Sequence, residues 1–276
     1  MLNTNIFKAV NSILVLAAVS ITLTGCLPKK VPVEKTRTVS TVSMTLDANA
    51  SSSETQDGIT IKARAIHPDN IEQYASLLAN VDYYWYRMFR DGTHVKNRDG
   101  SYATRSSTLK VSLLPLPAFE VKITNSTKHV LRFSNAVIAV EDDKGNSYDA
   151  LAKSDLSDYL KESVQAHFRH NSKYKLGKGV DADLEAKLRN IRVLDNNLKV
   201  LPGKTIKAYV AINYGNYTTE EAKKFIMNNS QLTLGLYELP SEVNQAGKAT
   251  KTTNFSFVYD IKVKDTVETY TVYQYK

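Results

Sequence analysis

Alternation of apolar and polar side chains dominates the chain after residue 58. Ile59, Ile61, Ala63 and Ala65 alternate with Thr60, Lys62 and Arg64, and Leu109, Val111 and Leu113 repeat the pattern. It recurs at Phe119, Val121 and Ile123, at Ile206, Ala208, Val210, Ile212 and Tyr214, at Leu232, Leu234 and Leu236, and at Phe255, Phe257, Tyr259, Ile261 and Val263. A period of two puts one set of side chains on one face of a strand, so each run predicts a strand with one buried face. Several such strands divided by turn residues imply an antiparallel sandwich or barrel. "EDDKGNS", residues 141–147, lies between two apolar stretches and predicts a hairpin loop in which Gly145 supplies a positive φ angle.

A different period interrupts the strands. Leu156, Tyr159, Leu160, Val164 and Phe168 fall on one helical face, and Val180, Leu184, Leu188 and Ile191 on another. "KYKLGKG" separates them, so residues 155–194 predict a helical hairpin inserted between strands. Thr218 with Glu221 forms a capping box ahead of Ala222, Phe225 and Ile226, and Ile71, Tyr74, Ala75 and Leu78 predict a short helix over 70–80.

The amino-terminal segment has another character. One charge, Lys8, precedes a mainly apolar run from Ala9 to Leu23. Such a run is shorter than the roughly twenty residues a spanning helix needs and fits a secretory leader. It ends in Leu23-Thr24-Gly25-Cys26, which holds the single cysteine of the chain. These four residues resemble the lipobox of bacterial lipoproteins: an aliphatic residue, a small residue, glycine or alanine, then cysteine. The resemblance implies that residues 1–25 are a signal peptide cut before Cys26 and that the Cys26 thiol receives a diacylglyceryl group. It also implies acylation of the new amino group, of the palmitate kind, and two or three chains hold a protein durably on a membrane. In that family an Asp after the cysteine commonly retains the protein in the inner membrane. Leu27 stands there in this chain, which implies the outer membrane, facing the periplasm.

Residues 26–57 are rich in Lys, Pro, Thr and Ser and read as a lipidated tether, with a short edge strand allowed by the alternation of Val42, Met44 and Leu46. Without a second cysteine no disulfide can staple the remainder, so stability must come from a packed core, which residues 58–276 are long enough to build. The full chain carries a formal charge of +8, and a basic envelope protein can meet anionic headgroups. Nucleic acid is disfavoured as a partner, since no binding motif is recognisable.

"FEVKITNSTKHVLRF", the hairpin at 141–147, "LPGKTIKAYVAINY" and the closing strand pair together resemble the immunoglobulin-like modules of bacterial envelope lipoproteins. The resemblance implies a mainly β fold: an immunoglobulin-like antiparallel β-sandwich, here with an inserted helical hairpin and short peripheral helices. It also implies a binding or assembly role in preference to catalysis. A periplasmic enzyme acting on envelope glycan or peptide, or a lipoprotein subunit of a secretion or conjugation machine, are the alternatives.

The candidate chemistry is sparse. His167 and His170 stand three apart on the first inserted helix, a spacing that permits metal ligation but lacks further ligands. Asp142, Lys144 and Asn146 alternate, yet Lys144 occupies a position where calcium needs an oxygen. No Gly-x-Ser-x-Gly elbow occurs, the carboxylates Asp155, Asp158, Asp181 and Asp183 lie at helix starts where they complement the dipole, and no phosphate-cradling glycine loop or cofactor is indicated. The unusual stretch is Tyr83-Tyr84-Trp85-Tyr86-Arg87-Met88-Phe89, which holds five aromatic residues in seven, including the single tryptophan. As a strand it places Tyr83, Trp85 and Arg87 on one face and Tyr84, Tyr86 and Met88 on the other. Aromatic rings beside an arginine favour protein interfaces or sugar stacking, so Tyr84, Trp85, Tyr86 and Arg87 are the candidate contact residues; the alternative is that the sandwich and its helices cover both faces and the stretch is core.

Overall fold

The computed structural model describes residues 30–48, 51–88, 93–168, 174–176, 180–212, 214–215 and 218–275. Cys26 and His170 lie outside them. The chain divides into two compact units, Thr41–Lys264 in one and Met1–Ser40 with Asp265–Lys276 in the other.

The strands, in chain order, are β1 (Lys30–Leu46), β2 (Ser53–Gln56), β3 (Ile59–Ile66), β4 (Leu78–Tyr86), β5 (Thr104–Ser112), β6 (Ala118–Asn125), β7 (Leu131–Arg132), β8 (Val137–Asp142), β9 (Ser147–Asp149), β10 (Tyr174–Leu176), β11 (Lys199–Val200), β12 (Lys204–Ala211), β13 (Gln231–Val243) and β14 (Ala249–Tyr275). The α-helices are α1 (Leu156–Phe168), α2 (Val180–Arg189) and α3 (Thr219–Met227). The protein is therefore mainly β. One sheet has the order β1-β14-β13-β8-β9, a second β12-β6-β3-β2, a third β10-β4-β5, and β7 pairs with β11.

Cross-strand rows explain why the first two sheets pack on each other. In the second sheet Ile61 pairs with Ile123 and Ile123 with Ile206, Ala63 with Val121 and Val121 with Ala208, Ala65 with Phe119 and Phe119 with Val210. In the first, Leu234 stands between Val140 and Phe257, and Leu236 between Ile138 and Phe255. Each row presents one apolar face, and the two faces meet in a single buried cluster that also takes in Val42 and Met44 of β1. Burying each large aliphatic or aromatic side chain contributes about 1.5–3 kcal/mol, which gives a disulfide-free body its stability.

A second apolar cluster covers the back of β12. Ala208 and Val210 belong to the central core, whereas Tyr209 and Ala211 point the other way. They pack in a cluster with Leu156, Leu160 and Val164 of α1, Leu184 and Leu188 of α2, and Val81 and Val111 of β4 and β5. That is why β12 is buried on consecutive positions despite its period of two.

Local signals gave several elements correctly. Thr218 accepts a hydrogen bond from the Glu221 amide while its own amide donates to Glu221 Oε2 at 2.9 Å, closing the capping box of α3. The 141–147 hairpin joins β8 to β9, with Gly145 at φ 83°. Asp142 closes it: its Oδ1 accepts from the amides of Lys144 and Asn146, and its Oδ2 accepts from Asn146 Nδ2 and Tyr148 Oη. Partial desolvation works to raise the Asp142 pKa, but these donors outweigh it and hold the carboxyl below its ordinary value.

Three expectations need correction. Residues 30–46, read as part of a tether, form the 17-residue strand β1. Their Thr and Val content suits a strand, and the partner that satisfies it, β14, lies more than 200 positions later. The helix expected over 70–80 is instead two short 3-10 turns, Ile71–Gln73 and Ala75–Leu77, after which Leu78 opens β4. Inside the helical hairpin, "KYKLGKG" contains β10, which pairs with β4.

Asn125 ends β6 and is fully buried. Its Nδ2 donates to the carbonyls of His129 and Val200, both at 2.8 Å, and its Oδ1 accepts from the amide and hydroxyl of Thr127. One side chain thus joins β6 to β11 and to the following turn. Asn125→Ala takes their side-chain partner from the Val200 carbonyl and the Thr127 amide, leaving the His129 carbonyl only the Thr127 hydroxyl, so urea unfolding should show a loss of about 2–3 kcal/mol with unchanged denaturant slope.

Candidate functional site

The aromatic stretch forms the outer part of β4 in the third sheet. Tyr83 pairs with Ser107, Tyr84 with Ser106, Trp85 with Arg105 and Tyr86 with Thr104 on β5, while β10 sets Lys175 against Tyr84 on the other side. Alternation sorts the rings as their positions require. Tyr83 and Trp85 stack at 5.8 Å with their planes 25° apart, and Tyr84 and Tyr86 meet edge to face at 6.3 Å.

The two faces differ. Ala79 and Val81 are buried on the face that carries Tyr83 and Trp85, so this face starts in the second apolar cluster and runs out of it. The opposite face carries exposed Asn80 and Asp82 before Tyr84 and Tyr86. All four rings from Tyr83 to Tyr86 are half-buried and belong to neither apolar cluster. Arg87 is exposed and its backbone bonds to Ala103 and Val95.

Residues 93–102 return along this strand end. Met88 bridges to His94 and Lys96 to Tyr102, and the turn between is closed by Asn97, Asp99, Gly100 and Ser101. Gly100 adopts φ 82° there, a conformation glycine takes without strain. The return places His94 and Tyr102 beside Tyr86, giving a triad of rings with centroid separations of 5.4 Å for Tyr86 and His94, 5.6 Å for Tyr86 and Tyr102, and 5.2 Å for His94 and Tyr102. All three contacts are edge to face, the arrangement ring quadrupoles favour. Lys175 Nζ stands 5.2 Å from the Tyr86 centroid and Lys96 Nζ 5.7 Å from that of Tyr102, so the negative ring faces are met by two ammonium groups. Tyr102 is half exposed at 50%.

The structure therefore brings three of the four candidate contact residues, Tyr84, Trp85 and Tyr86, onto two faces of one strand, with Arg87 at its end. Sequence reasoning missed His94, Lys96, Tyr102 and Lys175. The Asp99-Gly100 turn was a legible hairpin signal for the first three, whereas Lys175 arrives through the β10 pairing, which leaves no local trace.

The other candidate chemistry remains scattered. Among the described residues no group of three or more His, Cys, Asp or Glu side chains is placed to hold a metal ion. Asp155 accepts from Ser154 and Asp158 stands 3.8 Å from Lys161, both exposed. A cleft of about 410 Å³ beside the β13 bulge is lined by His129, Arg132 and Glu238, but the His129 ring lies 3.2 Å from the Pro240 carbonyl and is committed to it. No helix among the described residues is long and apolar enough to cross a membrane. No protein-family model, curated protein or solved structure matches the chain.

Among the described residues His67 is the buried imidazole, 7% exposed just after β3. Burial pushes its pKa below the ordinary 6.5, the Asp69 carboxylate partly restores it, and the Lys223 ammonium lowers it again. Asp69 itself joins elements, accepting from the Val42 amide of β1 at 2.6 Å and from Lys223 of α3 at 2.7 Å. Above the ordinary value the ring is neutral folded or unfolded and costs nothing. As pH falls below it, the unfolded chain binds a proton that the folded chain resists, so stability is lost. The unfolding midpoint should therefore drop as pH falls through the ordinary histidine value of about 6.5, and His67→Gln should flatten that dependence.

Proposed function

We propose that the chain is an outer-membrane lipoprotein, anchored through acylated Cys26, whose immunoglobulin-like body faces the periplasm as a non-catalytic binding or assembly module. Two antiparallel sheets sharing one core support the immunoglobulin-like reading, and the lipobox resemblance at Leu23-Thr24-Gly25-Cys26 supports the anchor.

The observation that carries the binding role is the ring triad of Tyr86, His94 and Tyr102 with Lys96 and Lys175 over its faces. Mutual edge-to-face contacts hold these rings before any partner arrives, so binding costs little further side-chain entropy. Tyrosines and tryptophan offer large apolar area with polar tips, and the lysines, with exposed Arg87 and Arg105 on the same strand pair, add positive charge. Such a surface suits an envelope protein or glycan that presents acidic groups beside flat apolar patches. A few clustered rings can carry most of an interface's affinity.

Two experiments test the reading. Cys26→Ser should move the protein out of the membrane fraction and stop its processing; a variant that stays membrane-bound and is cut normally ends the anchor assignment. In-cell crosslinking followed by mass spectrometry should recover a partner whose yield falls at least about tenfold in Tyr86→Ala, a loss of about 1.4 kcal/mol, while the thermal midpoint is kept. A variant that unfolds instead assigns the ring to structure, and an unchanged yield removes the patch from binding.

A further inference from the structure

The smaller unit consists, among the described residues, of the paired stretches 30–40 of β1 and 265–275 of β14. Their register is antiparallel: Arg37 bonds to Glu268, the Thr266 hydroxyl donates to the Val39 carbonyl, and Ser40 bonds to Asp265. β14 pairs with β13 only through residues 249–260, and β1 ends its sheet, so among the described residues this ribbon has no strand on either outer edge. An isolated two-stranded ribbon is marginal in water, and open edges invite pairing.

Its polarity is graded along its length. Glu34-Lys35-Thr36-Arg37-Thr38 runs beside Val267-Glu268-Thr269-Tyr270-Thr271, a mainly charged and hydroxylic half in which the Arg37 guanidinium stands 5.6 Å from the Tyr270 ring centroid. Val31, Pro32 and Val33 lie beside Val272, Tyr273 and Gln274, a mainly apolar end, with Tyr273 63% exposed. A second copy pairing along an edge, or packing on a face, would be served by a uniform edge or a face-to-face difference. A gradient toward one end instead suits a rod whose tip enters a medium less polar than water. The aromatic end is the one that leads to Cys26, four residues before Lys30, a span of at most about 14 Å. Lys29, Lys30 and Lys276 flank that end in sequence and match anionic headgroups. Tyrosine is the side chain that gathers where a membrane turns from apolar to wet.

We infer that the Val31–Val33 and Val272–Tyr273 end of the ribbon seats in the headgroup region of a lipid bilayer, with the Glu34–Ser40 half standing in water. This rests on acylation of Cys26, which holds the ribbon end at the surface.

The test uses the full acylated chain, carrying Trp85→Phe, in phosphatidylethanolamine and phosphatidylglycerol vesicles with bromine on the acyl chains near the ester. A single indole is introduced by Tyr273→Trp, by Pro32→Trp as a second probe of the same end, or by Val267→Trp in the polar half. Bromine should quench the first two at least about twofold and leave the third unquenched. Three negligible signals on a chain whose intact mass shows acylated Cys26 overturn the lipid contact and leave the anchor standing; equal quenching at all three overturns the end-on seating. An unacylated Cys26 overturns both readings. A doubled particle mass in detergent with no quenching assigns the ribbon to a second copy and overturns the lipid contact.

Discussion

The packing of β3, β6 and β12 against β8, β13 and β14 is the constraint on which the larger unit depends. Ile61, Val121 and Val210 on one side and Val140, Leu234 and Phe257 on the other are fully buried. A chain with one cysteine has no covalent staple to substitute for that burial. The same rows fix register, because a slip of one residue in any strand would turn its apolar set to the outside.

Closing the front face leaves the back of the second sheet to be covered. Tyr209 and Ala211 of β12 need a lid, and α1, α2 and the β4–β5 pair supply it. β4 enters that lid with Ala79 and Val81 and leaves it with Tyr83 and Trp85, so the core anchors one end of the strand and the other end carries the ring patch. The aromatic surface is thereby held by rigid elements, which is the arrangement a preformed contact site needs. Asp69 plays a comparable joining part, tying the Val42 amide of β1 and Lys223 of α3 to the loop after β3.

Polar side chains decide where strands stop. Asn125 spends all its hydrogen-bonding capacity at the end of β6, and Asp142 does the same at the β8–β9 turn. In both cases a short polar residue replaces the backbone partner that the ladder no longer provides. A turn built this way is visible in sequence as a polar cluster, although which side chain closes it is not.

The amino-acid sequence by itself determined the strands with one buried face, the 141–147 hairpin, the capping box at Thr218 and Glu221, and the aromatic density from Tyr83 to Phe89. Each depends on neighbours within a few residues, where side-chain period and turn chemistry act directly. Only the tertiary structure decided that the Thr- and Val-rich residues 30–46 form a strand, because their partner on β14 is supplied from the far end of the chain. It also decided that the 71–78 stretch breaks into 3-10 turns before β4, whose pairing with β5 claims Leu78 for a ladder. The ring patch was half legible: Tyr84, Trp85 and Tyr86 announced themselves by composition, but His94, Tyr102, Lys96 and Lys175 join them through pairings between strands, and such pairings satisfy backbone groups that no local pattern records.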